Sequence, residues 1–245
     1  VMKLGFRDMY EVSLGADFVS KNEGQELLEH YEAGEKMTTS CCPAFVSLIK
    51  KHYPQVLKYM STTVSPMTAT GRLIKAMHPD AVCVFIGPCI AKKSEVIDSI
   101  TFGGADYAMT YEELASMFEA KNIDPEECTE TMQQGSKFGK QYSVSGGVTA
   151  AVLETFKEAN KEVDLKVKTC SGALECKKAL MLLKVGKLPE DFIEGMVCEG
   201  GCVGGPSAFN DQISSKKNRD ALISNADARG IHENLKNYDM ESFSM

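Results

Sequence analysis

The feature that most constrains this chain is a glycine-rich stretch at residues 194–205, EGMVCEGGCVGG, which contains two cysteines four positions apart. Glycine loses more conformational entropy on folding than any other residue, and it is favoured where the backbone takes a positive φ or approaches a bulky group closely. We therefore expect this stretch to wrap an inorganic cluster bound by Cys198 and Cys202. A glycine-rich turn with two incidental cysteines is the alternative, and the rest of the chain has to decide between them.

Nine cysteines in 245 residues form the most unusual part of the composition. Their odd number and the ordinary α/β patterning around them argue against a small disulfide scaffold and favour reduced thiols, some of them bound to metal, in a cytoplasmic protein. The four histidines are scattered, which disfavours a His-rich zinc or copper centre. A net charge of −7 without a long basic run predicts no nucleic-acid partner. No apolar run approaches ~20 residues, which predicts no membrane-spanning segment.

Short apolar runs alternate with amphipathic segments along the chain, which predicts an α/β fold. Residues 81–87 form a continuous apolar run that is typical of a strand buried on both faces of a parallel sheet. Residues 192–198 predict the strand that leads into the glycine-rich stretch. Pro43 suits the first turn of a helix that stops at Pro54, and Thr110 with Glu113 forms a capping box for another.

A further helix is expected from Glu23 onward, with Ser20 or Asn22 as its cap. Glu23 and Glu26 lie three residues apart and therefore share one face of this helix. Taken alone, such a pair indicates a solvated acidic face.

Four of the cysteines follow a predicted strand or lie beside proline or glycine: Cys42, Cys89, Cys198 and Cys202. Four thiolates are what a [4Fe–4S] cluster requires. They come from three distant segments, which predicts a deep site between packed elements and differs from the compact spacing of an electron-transfer ferredoxin. A four-cysteine zinc site stays open, although such sites favour closely spaced pairs from short loops.

The other cysteines have different expected roles. Cys41 and Cys42 are adjacent, and because successive side chains diverge, one is expected to bind the cluster and the other to stay free. Cys83, Cys170 and Cys176 are interpreted as small apolar residues of the core. Cys128 falls in a polar segment, residues 121–142, that we expect to form a surface excursion.

Three segments together resemble, in the family's order, the three signature motifs of the [FeFe]-hydrogenase catalytic domain. They are TSCCPAF at residues 39–45, PCIAKKSE at residues 88–95, and the glycine-rich stretch at residues 194–205. STTVSP at residues 61–66 and SGGV at residues 145–148 extend the resemblance over essentially the whole chain.

This resemblance implies a two-lobed α/β domain, each lobe a small, mostly parallel sheet flanked by helices, with the cofactor between the lobes. The implied cofactor is the H-cluster, a [4Fe–4S] cluster joined through a cysteine to a di-iron unit that carries CO, cyanide and a bridging azadithiolate. By motif position the cluster ligands are Cys42, Cys89, Cys198 and Cys202, with Cys202 as the bridging thiolate. Lys92 is the implied cyanide-binding residue, and Pro88, Met196 and Ser65 are the implied neighbours of the cofactor.

The resemblance also implies a proton route. Cys41 matches the free thiol that passes protons to the cofactor, and Glu23, Glu26 and Ser61 match the groups that connect this thiol to the surface. The interpretation of the two glutamates therefore changes from a solvated face to a buried relay. Glu95 is expected to anchor the loop around Lys92.

Several positions depart from the pattern of the family. Gly87 and Phe45 stand where methionine and tryptophan are common, and Met67 replaces a frequent glutamine. The third motif continues GGPSA instead of the usual GGGQP. These departures indicate a divergent branch.

The sequence thus predicts that residues 1–245 form an [FeFe]-hydrogenase catalytic domain without its N-terminal part or a ferredoxin-like domain. We expect reversible interconversion of protons and electrons with H2, electrons from a ferredoxin or another electron-carrier protein or domain, and cofactor from maturation proteins. Made without those proteins, the chain is expected to be inactive. An H2 sensor is the first alternative, which retention of Cys41 disfavours. An iron–sulfur assembly protein is the second, and Lys92, which would lack a partner without cyanide, disfavours it.

Overall fold

Two small parallel sheets organise the chain in the computed structural model, which describes residues 1–98, 101–127, 133–226, 228–236 and 238. The first has the order β1-β5-β4, with β1 at Met37–Thr38, β4 at Val167–Ser171 and β5 at Phe192–Met196. The second pairs β2, Val84–Ile86, with β3, Tyr107–Met109. The helices are α1 (Val12–Glu32), α2 (Pro43–His52), α3 (Pro66–Met77), α4 (Lys92–Glu95), α5 (Tyr111–Ala120), α6 (Lys137–Gln141), α7 (Gly147–Glu158), α8 (Ala173–Lys184), α9 (Gln212–Ser224) and α10 (Ile231–Leu235). The predicted α/β class is confirmed.

Strand β5 lies at the centre of the first sheet and is buried along its whole length. Its side chains alternate between two cores: Phe192 joins a core with α1 and α7, whereas Ile193 joins a core with α2 and α8. Parallel sheets need such cover on both faces, because their connecting helices pack on each side. The predicted strand before the glycine-rich stretch is therefore confirmed, and that stretch continues from its C-terminal end.

Strand β2 differs from its prediction, because it is only partly buried. Val82, just before the strand, is 69% exposed. Among the described residues, strand β3 is the only strand that pairs with β2. A groove of about 800 Å³ lies beside it, lined by α3 and by residues 6–12 and 78–86, and none of the four candidate cluster ligands lines this groove.

Helix α1 begins at Val12, eleven residues before the predicted start. Ser20 and Asn22 are therefore interior residues, and the Ser20 hydroxyl donates to the carbonyl of Ala16 at 2.7 Å instead of capping the helix. The first half of α1 is buried almost continuously beneath α3, α6 and α7. A helix covered on most sides lacks the polar stripe from which helical periodicity is recognised, which is why its first half was not predicted.

Other predictions from local signals are confirmed. Helix α2 begins at Pro43 and ends before Pro54. Cys170 and Cys176 are free thiols with no solvent exposure, packed in the core beside α8. Cys128 lies outside the described residues. Within the described ranges, no helix has the length and apolar character needed to cross a bilayer.

The capping box of α5 is present as predicted. The Thr110 hydroxyl accepts a hydrogen bond from the Glu113 backbone, and the Glu113 carboxylate accepts one from the Thr110 backbone at 2.8 Å. Thr110→Ala is expected to lower the free energy of unfolding by about 1 kcal/mol, because a backbone N–H loses its acceptor. Urea unfolding checks this. Ser116→Ala, an exposed change on the same helix, is the control, and equal effects of the two changes would contradict the capping role.

Candidate iron–sulfur site

The loop after β1 carries two adjacent cysteines whose side chains pack in two different cores. Its first residue, Thr39, extends the sheet: its N–H donates to the Ile193 carbonyl at 3.0 Å, and its hydroxyl accepts from the Gly195 N–H at 3.1 Å. With the backbone held in this extended path, Cys41 is buried in the core beside α1, and Cys42 packs against the core beside α2. The predicted divergence of the two thiols is confirmed.

The loop after β5 carries Cys198 and Cys202, and its glycines pack against other protein segments. Gly201 has a φ of 93°, and a Cβ at this position would lie 2.7 Å from the Ser143 carbonyl oxygen. The Cys202 N–H donates to the same carbonyl at 2.7 Å. At Gly205 an added Cβ would lie 2.6 Å from the carbonyl oxygen of Pro88. The sequence analysis attributed the glycines of this stretch to the close approach of a cluster. In the structure, backbone atoms of two other protein segments also approach these glycines closely.

These contacts bring four thiols from three segments together. Burial, together with electrostatic repulsion from Cys42 and Cys89, raises the pKa of Cys202 to about 12. Burial and the same two cysteines raise the pKa of Cys198. Burial raises the pKa of Cys42, and repulsion from Cys89 acts in the same direction, whereas hydrogen bonds from the backbone lower it. Cys202 is nevertheless exposed to solvent. The space around the thiols of Cys42, Cys89, Cys198 and Cys202 is called the recess.

The donor set in this recess fits a [4Fe–4S] cluster. In the described part of the chain, no group of three or more His, Cys, Asp or Glu side chains is close enough to hold a single metal ion. An iron–sulfur cluster is wider than one ion and separates its thiolates further, and it takes four of them. Burial and neighbouring thiols disfavour the thiolate form of Cys42, Cys198 and Cys202. A cationic cluster reverses that preference, because metal binding displaces the thiol protons.

Lys92 is held by a buried polar network at the edge of the recess. Its ammonium donates to Glu95 Oε2 at 2.7 Å and to Ser65 Oγ at 2.8 Å, and Thr68 Oγ1 donates to Glu95 Oε1 at 3.1 Å. Ser65 Oγ also donates to Glu95 Oε1. The structure therefore shows the contact predicted between Glu95 and the Lys92 loop.

The expectation that Lys92 would lack a partner without cyanide is wrong. Lys92 and Glu95 are three residues apart on α4, which places their side chains on one face. Sequence reasoning treated this helical turn as a loop and missed the pair. An ammonium has three N–H donors, and the network uses two, so the geometry suits one further anionic ligand.

The other predicted neighbours of the cofactor also lie around this region. Met196 ends β5 and is buried, and the Pro88 carbonyl accepts a hydrogen bond from the Ser207 N–H at 3.2 Å. Phe45, one of the departures from the family pattern, is fully buried, and its ring covers Gly195 so closely that a Cβ there would overlap it. Phe45 therefore contributes packing beneath the loop that carries Cys42.

Two residues of the predicted proton route, Ser61 and Glu26, are hydrogen bonded to each other. Glu26 accepts hydrogen bonds from the Ser61 hydroxyl at 2.6 Å, the Thr62 N–H at 2.7 Å and the Thr63 hydroxyl at 3.1 Å. Glu23 is fully buried, so the solvated acidic face inferred from spacing alone is wrong for this residue. The described contacts leave Glu23 Oε1 without a partner, and the link from Glu23 to Ser61 stays a prediction.

Glu23 should impose a pH dependence on stability. Burial raises its pKa from 4.5 to about 8, opposed by a hydrogen bond from Tyr142. Since folding favours the protonated form, the stabilisation is complete below pH ~4.5 and is lost as the pH rises toward ~8, by roughly 5 kcal/mol in all. Glu23→Gln should remove most of this slope between pH 6 and 8 in urea unfolding. Burial also raises the pKa of Asp17 to about 6, so the effect of Asp17 on stability falls mainly below pH 6. The exposed Glu29→Gln is the control, and an unchanged slope in Glu23→Gln would contradict the assignment.

Sequence analysis missed two buried residues of this site. Glu194, on β5, accepts hydrogen bonds from the Gly146 N–H at 2.7 Å and the Thr149 hydroxyl at 2.6 Å, and so holds the start of α7. A charged residue inside an apolar strand was the available signal. Tyr142 belongs to the segment predicted as a surface excursion, yet it is buried. That prediction fails for the described residues 133–142, where α6 packs onto α1.

The α/β fold and the four cysteines on three separate loops are the arrangement expected of a protein that holds an iron–sulfur cluster. The family model for "Iron only hydrogenase large subunit, C-terminal domain" matches residues 1–206, and the chain belongs to this family. The cofactor of the family is the H-cluster, and the residues described above fit it.

Individual relatives agree with this assignment. The periplasmic [Fe] hydrogenase large subunit of Nitratidesulfovibrio vulgaris is 31% identical over 84% of the chain and 60% of its own length. A probable cytosolic Fe–S cluster assembly factor of Nematostella vectensis is 24% identical over 81% of the chain and 58% of its own length. The chain thus spans at most three fifths of these relatives. An apo variant of the [FeFe]-hydrogenase HydA1 from Chlamydomonas reinhardtii shares the fold, with a TM-score of 0.75, 22% identity, and coverage of 95% of this chain and 79% of that chain.

Proposed function

We propose that this chain interconverts H2 with two protons and two electrons at an H-cluster held in the recess. The observation that carries the proposal is the convergence of four cysteine thiols beside a fifth, buried thiol, that of Cys41. Cluster binding needs the four, whereas transfer of a proton to or from the cofactor needs a group that is not itself a ligand. Cys41 is such a group, and it lies close enough to Cys42 and Cys202 to interact electrostatically with both.

In this proposal Cys42, Cys89, Cys198 and Cys202 would hold the [4Fe–4S] part of the cofactor, and Cys202 would also help to hold the di-iron part. The cofactor, when bound, supplies the redox chemistry that cleaves or forms H2. The third N–H of Lys92 would donate to a cyanide ligand, a charge-assisted hydrogen bond favoured by the buried setting. Ser65 orients this ammonium. Pro88 and Met196 would cover the apolar side of the di-iron unit and exclude water.

Proton transfer between the cofactor and the surface is assigned to residues on and beside α1. Cys41 would exchange protons with the cofactor, and Glu23, Ser61 and Glu26 would connect that thiol to the surface. Glu26 is the outer group of the three, because it is only partly buried, whereas Glu23 and Ser61 are buried. The short Ser61–Glu26 hydrogen bond supports the outer half of this route.

The proposal also includes partners and a location. Electrons would reach the cluster from a ferredoxin or another electron-carrier protein or domain, and the di-iron unit would come from maturation proteins. The eight cysteines in the described ranges are all free thiols, which agrees with a reducing cytoplasm, although one relative is named as periplasmic.

Infrared spectroscopy tests the function. The protein would be loaded with a [4Fe–4S] cluster and then with a synthetic di-iron precursor under anaerobic conditions. We expect CO and cyanide stretching bands that shift on exposure to H2, together with H2 production from a chemical reductant. A protein that binds the [4Fe–4S] cluster but never shows these bands would refute the proposal.

An iron–sulfur assembly role is the second candidate, and one observation favours it. Lys92 is already bonded to Glu95 and Ser65, so its presence in the recess is explained without a cyanide ligand. A relative named as an assembly factor belongs to the same group of matches. Under this alternative the protein would bind four iron atoms, show no CO or cyanide bands, and transfer its cluster to an apo acceptor protein.

A further inference from the structure

Glu194 is a charged residue of β5 whose side chain is fully buried. Its Oε1 accepts a hydrogen bond from the Gly146 N–H at 2.7 Å, and its Oε2 accepts from the Thr149 N–H at 2.9 Å and the Thr149 hydroxyl at 2.6 Å. Burying a carboxylate is costly unless donors surround it, and these three donors come from one short segment, residues 146–149. The side chain of Glu194 therefore fixes this segment relative to β5.

Glu194 also acts as the capping group at the start of α7. Gly146, which precedes the helix, has a φ of 87° and no side chain that could accept from the first N–H groups. These groups need acceptors, and the helix dipole favours a negative charge near them. A carboxylate from a different element meets both needs, so α7 begins at a position that β5 determines.

The residues just before α7 form a short backbone pairing with the glycine-rich stretch. The Cys202 N–H donates to the Ser143 carbonyl at 2.7 Å, and the Ser145 N–H donates to the Gly200 carbonyl at 3.2 Å. The two residues between these bonds form an antiparallel bridge. The backbone of Cys202 is thus held by residues 143–145, which lead directly into the start of α7.

We propose that Glu194 is a positioning residue for the [4Fe–4S] cluster, and that it fixes Cys202 relative to Cys198 through residues 143–149. The contacts form a closed ring. Strand β5 leads into the loop with both cysteines, the loop pairs with residues 143–145, and the helix start that follows returns to β5 through the carboxylate. One strand therefore determines the positions of two proposed ligands. The proposal rests on the cluster-binding part of the proposed function, and neither motif position nor the family comparison assigns this role to Glu194.

Release of the [4Fe–4S] cluster to a chelator tests this role without a di-iron unit. The protein is loaded with iron and sulfide under anaerobic conditions, and the transfer of iron to bathophenanthroline is followed over time. Glu194→Gln keeps the shape of the side chain, but an amide has one acceptor oxygen where a carboxylate has two, so a donor of the 146–149 segment loses its partner. We expect cluster release to be about 10–100-fold faster, the range in which loss of a group that orients a metal ligand weakens metal binding.

Amide hydrogen exchange of the apoprotein gives a second measurement, which needs no cluster. The Cys202 N–H should exchange faster in Glu194→Gln, because its acceptor, the Ser143 carbonyl, is held less firmly. Thr149→Val removes only the hydroxyl donor and preserves the shape of the side chain. It should raise both rates by a smaller factor, and it keeps the test decisive if Glu194→Gln does not fold.

Glu158→Gln is the matched control. Glu158 is the last residue of α7, and its carboxylate accepts from the Ile231 and His232 N–H groups at 2.7 Å each, at the start of α10. This change should lower the free energy of unfolding, as Glu194→Gln should, but it should leave cluster release and Cys202 exchange at their wild-type rates.

The outcomes separate the positioning role from the proposed function. Wild-type rates of release and exchange in both Glu194→Gln and Thr149→Val would overturn the positioning role, and so would equal acceleration in Glu158→Gln. A wild-type protein that takes up no cluster would overturn both proposals. Faster release in Glu194→Gln, from a protein that never shows CO and cyanide bands, would support the positioning role and refute H2 turnover.

Discussion

Cys41→Ser should lower H2 turnover by about 10²–10⁴-fold, the range expected when a positioned acid–base group is removed. Burial raises the pKa of Cys41 well above its usual value, so the group is a protonated thiol, and a serine hydroxyl in its place is a much weaker acid. The change leaves the four proposed cluster ligands in place, so the infrared bands of the loaded cofactor should persist. Turnover assays with a chemical reductant, paired with infrared spectra, measure both quantities.

Cys83→Ser is the control for this experiment, since Cys83 is also a buried thiol but lies beside the second sheet, against Asp106. It should leave turnover near the wild-type value. If Cys41→Ser changed turnover no more than Cys83→Ser while wild-type rates were already low, the H2-sensing alternative would be favoured, because a sensor does not require rapid proton delivery.

Glu95→Ala is expected to lower the free energy of unfolding by about 3–5 kcal/mol, because it leaves the Lys92 ammonium buried without its carboxylate. Lys92 and Glu95 are each below 10% exposed, and Ser65 alone cannot balance the charge. Urea unfolding of the apoprotein measures the change, with no cofactor involved. The double variant Lys92→Met with Glu95→Ala should recover most of the loss, since both charged groups are then absent.

The ion pair of Lys93 and Glu113 provides a matched control, because it is a similar contact between side chains that are more than 40% exposed. Lys93→Ala should change stability by no more than about 1 kcal/mol. A Glu95→Ala effect as small as this would show that Lys92 finds another partner or reaches solvent. The buried network would then have no role in holding the ammonium for a ligand.

Sequence alone determined the parts of this protein that depend on local signals. The cysteines beside proline and glycine identified the three loops that converge, and the capping box and proline positions identified helix ends. The strand before the glycine-rich stretch was recognisable because a central parallel strand is apolar along its whole length. Adjacency alone separated Cys41 from Cys42, since successive side chains must point apart.

Tertiary structure alone decided which polar groups are buried and what they contact. The start of α1 at Val12, the burial of Glu23, the partners of Lys92 and the position of Tyr142 all depend on segments distant in sequence. Tyr142 lies 119 residues from Glu23, and nothing local to either residue indicates that they touch. Local propensity is set within a few residues, whereas burial and pKa depend on whatever the complete fold packs against a group. The proton side of the site therefore had to be found in three dimensions.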